Sequence, residues 1–304
     1  MSNSINITFW GVRGSTPCAN SENMHYGGNT TCVQIEVSGL DELLIFDCGT
    51  GFRNLGNALI NSEEHLRGRI FITHPHWDHL QGFPFFKPFY DAQSWFRIYM
   101  PPQGGIGCSE ILQGHMSKTF FPVSMDMLEA DLDCESFQPG KKLFEGFTVD
   151  YMWATHTVPT AIYKISVGDK SIIFAPDNEL MQDGREVSNK FDEQLRAFIH
   201  GADLLIHDAQ FSREEYKAKI GWGHSAWEDV IDIAAQEKVK RLSLTHHDPD
   251  NDDETLSEIE AQVHSYVGSK FEEISLAKEG QTIRLPLTKA DKVSVKGVQI
   301  RNNT

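Results

Sequence analysis

The chain predicts an α/β body in four layers, with two β-sheets face to face and helices on the outside. Three observations point there. Short β-rich runs recur along its 304 residues. Several are apolar without alternation, such as Leu43-Leu44-Ile45-Phe46 and Leu204-Leu205-Ile206, the mark of strands covered on both faces. Helical stripes fall between or after these runs. Periodicity alone is also compatible with a single sheet.

The strand runs are, in order, Ile5–Val12, Cys32–Val37, Leu43–Asp47, Arg69–Thr73, Phe96–Met100, Phe147–Ala154, Tyr163–Val167, Ser171–Ala175, Leu204–His207 and Arg241–Thr245. Helices are expected over Phe191–His200, over Trp227–Lys238, where Val230, Ile231, Ile233, Ala234 and Ala235 make a stripe with Ser225 as cap, and over Thr255–Val267. No linker rich in Pro, Gly or Ser interrupts this pattern, and no repeat stands out, so residues 1–287 read as one domain. Residues 288–304, with Lys289, Lys292, Lys296 and Arg301, read as a loosely ordered or partner-contacting tail. Residues 83–130 stand apart. Phe83, Phe85, Phe86, Phe89, Tyr90, Trp95, Phe120 and Phe121 form either an ordinary aromatic core or the wall or lid of a substrate pocket.

Composition excludes several classes. No apolar run is long enough to span a bilayer, and Met1-Ser2-Asn3-Ser4 begins no signal peptide, so a cytoplasmic protein is expected. Five scattered cysteines without a CxxC pair argue against a disulfide framework or a thiolate zinc site. A formal charge of −16 opposes an extended nucleic-acid surface but not a small anionic substrate. The acidic run Asp248–Glu254 reads as a solvated loop and helix start; it lacks the glycine and distal glutamate of a calcium loop.

The densest chemistry is Thr73-His74-Pro75-His76-Trp77-Asp78-His79, directly behind Ile70-Phe71-Ile72. Imidazoles two apart on extended chain point the same way and can grip one metal ion, and the Asp-His pair can grip a second. Burying three imidazoles and a carboxylate together is costly unless something pairs them. Further candidates follow later β-rich runs: His156, Asp177, and the pair His246 and His247. Together they complete three imidazoles for one ion, two imidazoles and a carboxylate for another, and an aspartate shared between.

The ordered set HxHxDH, then a lone His, then Asp after a strand, then His after Leu-Thr, resembles the metallo-β-lactamase superfamily from Trp10 to about Pro249. Within it the chain is most similar to the phosphodiesterase branch, with RNase Z, phosphonate-breakdown phosphodiesterases and class II cyclic-nucleotide phosphodiesterases. The resemblance implies an αββα sandwich of two mixed sheets and two divalent ions, with zinc, manganese or iron suited to His and Asp ligands. It assigns His74, His76 and His156 to one ion and Asp78, His79 and His246 to the other, with Asp177 bridging. His246 is preferred to His247 because the family's ligand directly follows Leu-Thr.

Further matches carry further roles. Gly223-His224-Ser225 resembles the His-Ser-Thr element whose histidine is the general acid, although Ala226 replaces the threonine. Leu205-Ile206-His207-Asp208-Ala209 resembles the strand end whose carboxylate orients that histidine, with Asp208 in place of Glu. Asp78 is also a candidate proton acceptor for the attacking water. Asp47, in Asp47-Cys48-Gly49, would accept from a ligand histidine. Arg13, in the loop Trp10–Ser15, is read as either an anion contact or a structural arginine. The glycine turn Tyr26–Thr31 is a weak phosphate cradle.

The implied activity is hydrolysis of a small phosphodiester such as a cyclic nucleotide. RNase Z carries its tRNA-gripping arm between the lone His and the bridging Asp, and only twenty positions separate His156 from Asp177 here. Hydrolysis of a lactone or thioester, an armless RNase Z-like activity and a non-catalytic metal-binding module are the alternatives. Relatives often pair, so a homodimer is also implied, with the aromatic segment as a candidate surface.

Overall fold

Opposite neighbours along each central strand face different cores, and this alternation sets the layering. The computed structural model describes residues 3–60, 65–180 and 186–287. The first sheet takes β1 (Ser4–Gly11), β2 (Cys32–Val37), β3 (Leu43–Phe46), β4 (Arg67–Phe71), β5 (Trp95–Met100) and β6 (Asp131–Ser136). The second takes β7 (Gly140–Phe144), β8 (Phe147–Trp153), β9 (Ala161–Val167), β10 (Lys170–Ala175), β11 (Leu204–Asp208), β12 (Arg241–Thr245) and β13 (Glu273–Leu276). The chain then returns through β14 (Thr282–Pro286) to the open edge of the first sheet, beside β1.

Among the described residues each sheet has seven strands, and their pairing patterns match. From β14 through β1 and β2 to β3 the pairing is antiparallel, and from β3 through β4 and β5 to β6 it is parallel. From β7 to β10 it is antiparallel, and from β10 to β13 parallel. The two sheets are therefore mixed, and the body repeats one sheet plan twice although no repeat is visible in the residues.

Leu44, Phe46, Phe71, Ile172, Phe174, Leu204 and Ile206 fill the core between the sheets. Their neighbours Ile45, Ile70 and Ile72 face the outer side of the first sheet. There α1 (Thr50–Leu59) and α3 (Cys108–His115) lie, with the one-turn α2 (Trp77–Leu80) at the strand ends. Ile173, Ala175 and Leu205 face the outer side of the second sheet. There α4 (Glu186–Ile199), α6 (Trp227–Gln236) and α7 (Asp253–Val267) pack, and the short α5 (Arg213–Tyr216) sits before α6. The layers are helix, sheet, sheet, helix.

The expected helices form with shifted ends. Ser225 does not cap α6. Its N-cap is Ala226, without a side-chain bond. The Ser225 hydroxyl instead donates to the Asn178 carbonyl and accepts from the Leu180 amide at 3.0 Å. Asp252, in the acidic run, caps α7 by accepting from the Thr255 amide at 2.8 Å.

The aromatic segment divides. Phe83, Phe86 and Phe89 are buried under the first sheet, with Phe86 stacked on Phe52 at 3.9 Å between ring centres. Phe85, Phe120 and Phe121 join Trp77 in lining an open cavity of about 570 Å³. Among the described residues no helix is long and apolar enough to cross a membrane. The expected tail, 288–304, lies outside the described residues.

Candidate metal centre

Parallel strands end on the same rim of each sheet, and that rim is where an open α/β sheet offers its loops to ligands. Asp47 follows β3, the run His74–His79 follows β4, Asp177 follows β10, Asp208 ends β11 and His246 follows β12. His156 comes from the connection between β8 and β9. These strands bring residues far apart in sequence into one cluster.

Two sets of donors converge there. In the first, Nε2 of His74 lies 2.8 Å from Nδ1 of His76, which lies 3.3 Å from Nε2 of His156. In the second, Oδ2 of Asp78 lies 3.2 Å from Nε2 of both His79 and His246. Asp177 stands between the sets, and its two oxygens divide. Oδ2 faces His74 at 3.8 Å and His156 at 3.6 Å. Oδ1 faces His79 at 3.0 Å and His246 at 3.3 Å.

Neighbouring groups fix the rings. His79 Nδ1 lies 2.7 Å from Asp47, whose carboxylate also accepts from the Thr73 amide at 2.7 Å. The Thr73 hydroxyl stands 3.0 Å from His74 Nδ1. The Gly223 carbonyl takes His156 Nδ1 at 3.0 Å. Each contact turns the far ring nitrogen, as donor, toward the cluster. The Ser15 amide donates to Asp78 Oδ2 at 2.8 Å.

Backbone shape contributes as well. Asp47 (φ 60°) and His246 (φ 63°) occupy the left-handed region, which costs a non-glycine residue about 1–3 kcal/mol. Gly14 passes so close to His246 that a Cβ there would sit 2.3 Å from Nδ1.

Charge in the cluster is unbalanced in favour of a cation. Burial would push the Asp177 and Asp78 carboxyls up, yet the surrounding histidines hold both well below the usual carboxylate range. Burial would likewise push His79 down, but Asp177, Asp78 and Asp47 raise it well above the ordinary imidazole range. Burial lowers His74, His76 and His156, which suits neutral, ligating imidazoles. Buried His79 Nε2 and Asp177 Oδ1 stand 3.0 Å apart, yet neither has a hydrogen-bond partner. Two buried polar atoms left so close without a hydrogen bond are what a shared cation would satisfy. The residues therefore fit two divalent cations, one per set, and nitrogen and oxygen donors without sulfur suit zinc, manganese or iron.

His224 borders the cluster. Its Nδ1 lies 2.7 Å from Asp208 Oδ2 and 4.0 Å from Asp177 Oδ2. The Asp208 carboxylate is itself fixed by the amides of Gln210, at 3.0 Å, and Asn178, at 3.3 Å. Burial alone would lower His224, but Asp208, then Asp177 and Asp78, raise it to about 9.

Of the two readings of Arg13, anion contact or structural arginine, its surroundings match the structural one. Its side chain is fully buried, and it donates to the carbonyls of Gly27 at 2.8 Å, Asp248 at 3.1 Å and Asn251 at 2.5 Å. It straps three loops together, and among the described residues no carboxylate lies within ion-pair distance of its guanidinium. The glycine turn is likewise occupied, since Glu279 accepts from the Asn29 amide and side chain. His247 turns away from the cluster, with Nε2 2.9 Å from the Ala277 carbonyl.

Sequence reasoning missed the Ser15 amide, the Gly223 carbonyl and Glu179. Glu179 is buried and accepts from Tyr216 Oη at 2.6 Å and the amides of Gly221 at 2.7 Å and Gly223 at 2.9 Å. The two backbone groups carry no residue-type signal, and a lone glutamate has none that distinguishes it from a surface charge.

Residues 43–247 match the family described as the beta-lactamase superfamily domain. A ribonuclease Z of Prochlorococcus marinus (strain MIT 9312) is 25% identical over 291 residues, spanning 81% of this chain and 88% of its own. The metallo-beta-lactamase fold protein YhfI from Bacillus subtilis superposes with a TM-score of 0.68 at 20% identity, over 92% of this chain and 99% of its own. A diphosphatase from the PhnP family does so with a TM-score of 0.63 at 17% identity, over 94% and 99%. With the family domain covering more than half of its length, this chain belongs to the metallo-β-lactamase superfamily and is a metal-dependent hydrolase.

Proposed function

We propose that the chain is a phosphodiesterase that cleaves a small phosphodiester, of cyclic-nucleotide size, with two divalent ions. The carrying observation is the 2.7 Å pairing of His224 with buried Asp208 beside both donor sets. The departing alkoxide of a phosphodiester is strongly basic and needs a proton, whereas a lactone or thioester needs less acid help. Asp208 holds the His224 ring by Nδ1, which leaves Nε2 to donate to the leaving oxygen. The chemistry that a divalent pair supplies in such a cage is Lewis acidity toward the phosphoryl oxygens and activation of water.

His74, His76 and His156 would hold one ion, Asp78, His79 and His246 the other, and Asp177, between the two sets, would serve both. Asp47 holds His79 in its ligating orientation. Oδ2 of Asp78 accepts from the Ser15 amide and is the oxygen turned toward His79 and His246, so Oδ1 is the oxygen left to take a proton from a water.

The name of the ribonuclease Z relative makes RNA the competing substrate. Against it, β9 and β10 are joined by the two-residue turn Gly168-Asp169, with Val167 paired to Lys170, so no arm projects between His156 and Asp177. The net charge of −16 also opposes a polyanion.

The test is a panel of substrates given to the metal-loaded protein: bis-p-nitrophenyl phosphate, cyclic nucleotides, a tRNA precursor, a lactone and a thioester. The expected result is turnover of the first two classes well above the rest. Preferential cleavage of the tRNA precursor would support the RNA reading, and turnover of the lactone or thioester alone would overturn both.

A further inference from the structure

We propose that the cavity beside His224 binds the nucleoside half of the substrate, with its base stacked on Trp222. This rests on the phosphodiesterase reading for its location. The acid must reach the oxygen that leaves, so whatever carries that oxygen lies on the His224 side of the cluster. A cavity of about 670 Å³ opens there, with His224, Phe211, Trp222, Lys219, Asp248 and Asp250 in its wall. That volume suits a nucleoside-sized ligand.

Its lining states what it would accept. Trp222 lines the cavity and is 60% exposed, with the Lys219 ammonium 5.8 Å from the centre of its ring, so much of the indole is open to a base. The loop carrying it is not slack, because Glu179 takes the amides of Gly221 and Gly223, on either side of Trp222, and the Tyr216 hydroxyl before them. A platform held this way gives up little freedom when a base stacks on it. Lys219 does not offer an open charge. Its ammonium lies 4.1 Å from the centre of the Phe211 ring and 3.3 Å from Asp248 Oδ2. With Asp250 also in the wall, two carboxylates face Lys219 and the acid His224, so the cavity keeps no free cation for a second phosphate. The same carboxylates can accept from ribose hydroxyls. The ligand class is therefore an uncharged nucleoside attached to a single reacting phosphate, not an internal segment of RNA.

The experiment uses the metal-loaded full chain and two readouts. Equilibrium dialysis measures adenosine and uridine binding directly, with methyl riboside as the sugar-only control. Inhibition of bis-p-nitrophenyl phosphate hydrolysis by the same nucleosides measures it at the site. Both nucleosides are expected to bind and the riboside not to. Trp222→Ala should weaken nucleoside binding roughly ten-fold or more, and Trp222→Phe should keep most of it. Nucleoside binding that Trp222→Ala leaves unchanged, or no nucleoside binding by a protein that hydrolyses the aryl diester, overturns the subsite. If no phosphodiester is turned over but nucleosides bind through Trp222, the subsite stands and the reaction assigned above fails.

Discussion

His224 and Arg13 show how far a residue type alone can be read. Both were candidates for substrate contact, and their surroundings separate them. His224 sits beside a carboxylate at the edge of the cluster, whereas Arg13 is sealed among carbonyls. His224→Ala should slow phosphodiesters with alkoxide leaving groups by ~10²–10⁴-fold, while aryl esters with good leaving groups lose much less. Equal losses on both, in steady-state assays, would remove the acid role. Arg13→Lys should lower stability by ~2–4 kcal/mol in urea unfolding, because a lysine cannot serve three carbonyls from that geometry. KM should not move; a large KM rise at unchanged stability would return Arg13 to the substrate. The convergence of the cluster's His and Asp residues was legible because that spacing has little other use. The left-handed backbone at Asp47 and His246 was not legible, since neither residue type announces it.

At the scale of elements, the strands absent from the sequence reading are β6, β7, β13 and β14. They are the four outer strands of the two sheets. An edge strand packs one side at most and carries charges that discourage further pairing. Asp131-Leu132-Asp133-Cys134-Glu135-Ser136 and Gly140-Lys141-Lys142-Leu143-Phe144 thus lack the apolar signal that marked the central strands. The loop before α6, read from the sequence for His224, has a second role that the sequence did not announce. It touches His156 through the Gly223 carbonyl, and a Cβ at Gly223 (φ 91°) would lie 2.2 Å from His156 Nδ1. Gly223→Ala should therefore cost ~1–3 kcal/mol of stability and weaken metal at the His74, His76 and His156 set. Titration of metal into the apo variant should show one site weakened and the other near wild type. Two unaffected sites would mean that the loop does not hold His156.

For the whole molecule, two sheets of the same plan face each other, and the cluster takes ligands from both. His74, His76, Asp78 and His79 come from the first sheet, and His156, Asp177 and His246 from the second. Cations held there would tie the two sheets together and offset the buried carboxylates, so metal removal should lower thermal stability. At a free metal concentration near 100 times Kd the linkage is ~2.7 kcal/mol per site. Cover on both faces of the central strands was legible in the continuous apolar runs, but one sheet would leave the same mark, and the second sheet came with the family resemblance; the matching order of the two sheets was not legible, since pairing direction leaves no mark on residue type. The account turns on a cage for two ions that share Asp177. Elemental analysis of metal-loaded protein after gel filtration, for wild type and Asp177→Ala, tests it. Two divalent ions per wild-type chain, with both weakened by the substitution, is the predicted result. One ion or none in the wild type, or two retained at full affinity without Asp177, would contradict it.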